Sequence, residues 1–360
     1  MDKNIINKGL SKNKFQDEHS NNISKELNNM KIIKEKEKIS KKNNTEISNN
    51  LEKKNSNKNI LKILKYHIGP VYHLYKLKDG RLASCSGDKT LKIYNKTTFD
   101  LELSIFEHSG LIYSFTQLDN GKIMSCSLDK TMKLIKLINN DKYEIEQTLI
   151  GHYDSVCKVI EIKQNELISI SYDGIMKIWI LNNKNKFECI SNIIFQKKGW
   201  TPYCNILKLN NNEFVTSSYI DEYIKFWNSN NYSNIITLYN IINTWTQENM
   251  CLLNDNLLCV GGSDSKGFYL IQISNHQLIK NILGPNEILS LYKCCNNTIL
   301  CSISDENKNH SLIKYKFENL NFVKIFEKVK AHNYFIWTCF QFNNEIIVSG
   351  GEDFLVKLWI

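Results

Sequence analysis

The sequence predicts an all-β fold: seven four-stranded antiparallel blades stacked in a ring, behind a disordered N-terminal tail. Three observations predict it. A motif built on Asp-Lys-Thr or Asp-Gly recurs about every 44 residues, short strand-like runs separated by turns fill the intervals, and long helical periodicity is missing after residue 60.

The tail comes first. Residues 1–59 hold 14 Lys against 8 acidic residues, a net of +6 of the chain's +9, which leaves +3 for residues 60–360. The stretch is rich in Asn and Lys, with only scattered apolar residues such as Leu27, Met30 and Ile33. It cannot bury enough apolar surface to offset chain entropy, so disorder is expected over 1–59. The remaining 301 residues are close to neutral. With 42% hydrophobic and 23% charged residues overall, the chain is of globular composition.

The repeat is explicit. Gly87-Asp88-Lys89-Thr90-Leu91-Lys92-Ile93-Tyr94 is echoed by Leu128-Asp129-Lys130-Thr131-Met132-Lys133-Leu134-Ile135 and by Tyr172-Asp173-Gly174-Ile175-Met176-Lys177-Ile178-Trp179. The register continues from Asp221 to Trp227 and from Asp353 to Trp359, with weaker copies around Asp264 and Asp305. Successive anchor aspartates stand 41, 44, 48, 43, 41 and 48 residues apart. That period is too long for 33- or 34-residue helical repeats and fits a four-stranded propeller blade. Within the first unit, Val71–Leu77, Leu82–Cys85 and Leu91–Tyr94 read as strands, and Asp88 sits in a turn where its side chain can accept backbone N–H groups two residues on. One such unit cannot cover both its faces, so seven must stack around an axis.

A second register runs in step with the first. His67, His108, His152 and His332 each lie 21 residues before Asp88, Asp129, Asp173 and Asp353, and Ser84, Ser125, Ser169 and Ser349 lie four before the same aspartates. On these residues the chain resembles the WD-repeat β-propeller family over residues 60–360. The resemblance implies a hydrogen-bonded His–Ser–Asp–Trp network in each blade. It is complete at His152, Ser169, Asp173, Trp179 and at His332, Ser349, Asp353, Trp359; Tyr94 stands for the Trp in the first unit and Ile135 in the second. Unit four keeps Ser217, Asp221 and Trp227 but has Trp200 at the histidine position, and units five and six lack both His and Ser. Blade seven, ending at Ile360, is short of an outer strand. Ile60–Lys65 has the character of that strand, and would close the ring as is common in this family.

Repetition also decides the chemistry. Ser, His and Asp together suggest a hydrolase triad, but catalysis needs one activated nucleophile and not four equivalent sets, so the network reads as structural. No G-x-S-x-G is present. Asp305-Glu306-Asn307-Lys308-Asn309 opens like an EF-hand loop, yet His310 and Lys316 stand where Gly and Glu are needed. Gly261-Gly262 and Gly350-Gly351 adjoin turns and need no phosphate, and a single arginine, Arg81, rules out a paired-arginine phosphoinositide motif. The expectation is therefore no catalytic residue, no metal and no cofactor. The eleven cysteines form no CxxC and read as reduced, buried small hydrophobes. Neither a signal peptide nor an apolar run of membrane-spanning length is seen, which points to a cytoplasmic or nuclear protein that is not secreted.

What remains is surface recognition, a non-enzymatic scaffold for protein or peptide partners. The family commonly binds partners on the face lined by the loops before the innermost strands and after the second strands. Tyr72, Tyr113, Tyr172, Tyr203, Trp245 and Trp337 fall there, as does Trp200, whose place at a histidine position favours a structural role. Large aromatic side chains are suited to such a face because they bury much area at low entropy cost. An enzymatic propeller is a remote alternative. The other alternative is a subunit of an RNA- or DNA-associated complex, using tail lysines on phosphates. If that second reading holds, full-length protein will bind RNA at low salt and protein lacking 1–52 will not; equal binding of the two in a filter assay removes it.

Overall fold

The computed structural model describes residues 60–195, 204–210, 212–218, 221–241, 246, 248–263, 267–284 and 287–360. The tail expected to be disordered, 1–59, lies outside the described residues. The described chain is a seven-bladed propeller of four-stranded antiparallel sheets. No helix in it is long and apolar enough to cross a membrane.

Strand β1 (Ile60–Leu64) precedes the first blade, which comprises β2 (Val71–Lys76), β3 (Leu82–Ser86), β4 (Leu91–Tyr94) and β5 (Leu101–Ile105). Blade two is β6 (Ile112–Gln117), β7 (Ile123–Ser127), β8 (Thr131–Leu137) and β9 (Tyr143–Ile150). Blade three is β10 (Val156–Lys163), β11 (Glu166–Ser171), β12 (Ile175–Leu181) and β13 (Phe187–Ile194). Blade four is β14 (Cys204–Lys208), β15 (Glu213–Ser218), β16 (Tyr223–Asn228) and β17 (Asn234–Tyr239), and blade five is β18 (Met250–Asn254), β19 (Leu257–Gly261), β20 (Phe268–Gln272) and β21 (Gln277–Ile282). Blade six is β22 (Glu287–Lys293), β23 (Thr298–Ser304), β24 (His310–Glu318) and β25 (Asn321–His332); blade seven is β26 (Ile336–Gln341), β27 (Ile347–Gly351), β28 (Val356–Trp359) and, on its outer edge, β1.

The core lies between blades, not within them. Seven apolar clusters occur, and each draws on two adjacent blades. This is why the second strands, such as Leu82–Ser86 and Ile123–Ser127, are buried along their whole length and carry small residues and Ser instead of an apolar–polar alternation. Nine cysteines are buried free thiols, four of them on second strands (Cys85, Cys126, Cys259 and Cys301), but Cys189 and Cys295 are exposed, which departs from the expectation that all are buried. Cys189 faces outward because its strand, β13, is the solvent edge of its blade.

Ring closure joins the two ends of the propeller. β1 pairs antiparallel with β28, Ile60 opposite Trp359 and Leu64 opposite Val356. Leu64, 1% exposed, packs into the cluster shared by blades seven and one with Val356, Leu358, Leu74 and Leu82. Lys62 donates across the seam to the Asp100 carboxylate at 2.8 Å. Burying one such Leu contributes on the order of 2 kcal/mol, and the lost strand would expose a flat sheet edge as well. Deleting residues 58–66 is expected to lower the melting temperature sharply and deleting 1–52 to leave it unchanged; equal shifts in a thermal scan would sink this account of closure.

Candidate functional site

One face of the ring is organised by four buried networks. His67 Nδ1 meets Asp88 at 2.8 Å and its Nε2 meets Ser84 at 2.6 Å. The same pairs measure 2.7 and 2.8 Å at His108, 2.9 and 2.8 Å at His152, and 2.7 and 2.7 Å at His332. Trp179 and Trp359 donate their indole N–H to Ser169 and Ser349 at 2.9 and 2.8 Å. An indole nitrogen only donates, so the serine hydroxyl must accept from it and pass its own proton on to His Nε2. That leaves Nδ1–H to donate to the carboxylate. In blades three and seven the network thus has one proton direction, Trp to Ser to His to Asp; in blade one the Tyr94 hydroxyl stands in the place of the indole, 2.8 Å from Ser84, and in blade two Ile135 brings no donor.

The charge state follows. Burial pulls the His152 and His332 imidazoles below their ordinary range despite their bonds to Asp173 and Asp353. Burial would raise the Asp353 carboxyl, but His332 and Lys357 outweigh it and hold it down at about 2. Asp88, Asp129 and Asp173 are likewise lowered against their burial, chiefly by their histidines. A neutral imidazole beside an ionised carboxylate results. The four serines are 0% exposed, so no substrate atom reaches their hydroxyls.

Blade four departs from the sequence reading. Trp227 donates to Thr216 at 2.9 Å and not to Ser217. Thr216 pairs with Lys225, nine residues on, whereas Ser169 pairs with Lys177, eight residues on. The turn after β15 is one residue longer, so counting back from Asp221 lands one position late. Thr90 and Thr131 were also passed over. Each donates its hydroxyl to the anchor carboxylate, at 2.5 and 2.6 Å, and the signal was the repeated Asp-Lys-Thr itself. The Asp305 loop closes on itself, Asp305 accepting the Asn309 backbone and amide N–H groups at 2.8 Å each.

The networks hold out what surrounds them. Asp88 accepts the N–H of Ile68 and Asp173 that of Tyr153, at 3.0 and 2.9 Å. Ile68, Tyr153 (77% exposed), Tyr334 (59% exposed) and Phe354 follow network His or Asp residues within two positions and point to solvent. Inside this rim, four of the predicted aromatics meet. Tyr172, Tyr113, Tyr72 and Trp337 form a half-buried arc with successive ring centroids 5.5, 5.6 and 6.1 Å apart, continued by Phe335. Tyr72, Tyr113 and Trp337 each occupy the skipped position of a β-bulge near the start of an innermost strand. A bulge re-aims the extra side chain, and here the three re-aimed rings meet one another. Trp200, Tyr203 and Trp245 lie outside the described residues.

On the ring axis, His73 Nε2 meets Glu248 at 2.9 Å, and Ser290 donates to the other oxygen of the same carboxylate at 3.2 Å. Histidine and serine each touch the carboxylate, one on each oxygen, and not one another. These residues come from blades one, five and six, and no sequence spacing marked them. Among the described residues, no three His, Cys, Asp or Glu side chains gather as a metal site.

The WD domain, G-beta repeat family model matches residues 58–95 and 323–359. Each stretch takes the outer strand of one blade and the three inner strands of the next, so the sequence repeat is offset by one strand from the structural blade. Among solved structures, the chain is similar to the WD40 β-propeller domain of Doa1, with a TM-score of 0.65 and 20% identity over 84% of this chain and 96% of that one. It is also similar to a chain of a mitotic checkpoint complex, with a TM-score of 0.69 and 14% identity over 83% and 91%. At these identities the likeness is one of fold. No curated protein matches the chain. The two repeat matches and the seven-bladed ring together match the WD-repeat β-propeller family.

Because the His152 and His332 imidazoles and the anchor carboxylates are lowered, the stability they contribute is full at neutral pH and is lost on acidification. The histidine part fades below the unfolded imidazole value of about 6.5 and the carboxylate part from about 4 downward. A His152→Gln/His332→Gln variant should melt lower at pH 7 and change less between pH 7 and pH 5 than wild type. An unchanged pH slope would remove this assignment. Ser169→Ala should cost about 1–3 kcal/mol in urea unfolding, since it strands two buried partners.

Proposed function

We propose that the chain is a non-enzymatic interaction platform that binds a protein or peptide partner on the network-bearing face, through the arc of Tyr72, Tyr113, Tyr172 and Trp337. The observation that carries this reading is the arc itself. Three rings sit at bulges near the starts of innermost strands, and a fourth follows the second strand of blade three. WD40 propellers are generally scaffolds of this kind. The physical logic is rigidity: rings fixed by neighbouring rings lose little entropy on binding, and the exposed rim of Ile68, Tyr153, Tyr334 and Phe354 supplies further apolar area. The four His–Ser–Asp networks do not touch the partner in this reading. They hold the loops that do.

Affinity purification of wild type beside a Tyr72→Ala/Tyr113→Ala/Trp337→Ala variant tests it. The variant should keep its fold by circular dichroism and lose a discrete set of partners, with a loss of at least about tenfold in affinity for each direct one. Unchanged partner lists would refute the proposed face.

A further inference from the structure

Blade six has an outer hairpin out of scale with the others. Its edge strand β25 is 12 residues long, whereas the longest of the other outer strands, β9 and β13, have 8. The hairpin is firmly held. Phe322 packs on Phe268 of blade five at 4.4 Å and on Phe317 at 5.1 Å, and Phe268 meets Tyr315 at 5.4 Å. A two-residue turn, Asn319 and Leu320 both at positive φ, closes it between the paired residues Glu318 and Asn321. Yet β25 has no strand against its outer edge among the described residues. Val323, Ile325 and Val329 are exposed along it, at 50–52%.

The charge on this hairpin is one-sided. Residues 310–330 hold Lys314, Lys316, Lys324, Lys328 and Lys330 against Glu318 and Glu327, a net of +3, which equals the net of the entire ring. The structure assigns β25 as a strand-addition site for an extended partner segment in which acidic residues alternate with β-branched apolar ones. The backbone edge supplies the ladder on either side of the bulge at Ile325, the branched side chains supply cross-strand packing, and Lys330 selects the charge together with Lys324, which an incoming carboxylate would share with Glu327, 2.6 Å away. A second copy of the chain is a poor occupant. Each copy's hairpin carries +3, and two of the antiparallel registers, those about Glu327 and about Phe326, also set Lys324 opposite Lys330 or Lys328. The chain's own residues 1–59 carry a net +6, the wrong sign for an edge that selects acidic residues.

This site is independent of the aromatic arc, since it lies on the outer edge of a blade that contributes none of the four arc residues. The test uses the full chain and a labelled, end-capped peptide of alternating Val and Glu, about eight residues long, beside its Val–Lys counterpart. The acidic peptide should bind, weaken about tenfold or more from low to high salt, and protect amides within 321–330 from hydrogen exchange. Lys324→Glu/Lys330→Glu should abolish acidic-peptide binding and admit the basic peptide at an unchanged melting temperature, while the arc variant binds as wild type. Equal binding of both peptides, no acidic binding, or protection that falls elsewhere overturns the proposal. So does an edge already protected in the free chain, whether lost on deleting 1–52 or on dilution, because either would assign it to the tail or to a second copy.

Discussion

A sheet whose two faces both lie against other sheets has no stable existence alone, and that condition governs this molecule. Every blade contributes to two of the seven apolar clusters and owns none of them. Closure is therefore a condition for every blade at once. It explains why a strand as short as β1 is pinned by an ion pair, a ladder and a fully buried leucine together. It also explains why the second strands are buried along their length and place serines among their apolar residues: with a neighbour on each face, every polar group they carry must find a partner inside the ring.

The His–Ser–Asp networks answer the polar half of that demand. A donor-only indole at one end and an acceptor-only carboxylate at the other give the chain of hydrogen bonds a single direction, so every member is satisfied without charge on the imidazole. Their carboxylates also accept the backbone N–H of the residue after each of the four histidines. Packing chemistry that is the same from blade to blade thereby presents residues that differ, and the difference is what a partner can read.

Much of this was legible in the residues. Offsets of 21 and 4 from each anchor aspartate located four networks, because a repeated structure leaves a repeated spacing. The reading failed where one residue was inserted: counting back from Asp221 gave Ser217, while the pairing register selects Thr216. Tyr72, Tyr113, Tyr172 and Trp337 were identified by their places in the unit, but their contact with one another was not, since ring-to-ring distance depends on bulges that sequence alternation does not reveal. His73, Glu248 and Ser290 were invisible for a related reason. They come from three blades and meet only because the ring closes. The length of β25 was hidden by the absence of His and Ser in blades five and six.

The pairing of Ile60 with Trp359 sets an order of events during synthesis. At about 5–20 residues per second, β1 emerges from the ribosome roughly 15–60 s before its partner. Through that interval β1 has no legitimate neighbour, while each new blade presents a fresh outer edge to which it can wrongly add. The longest contact in the chain is thus the last to form, and the nascent protein depends on its other six blades being already complete when β28 appears.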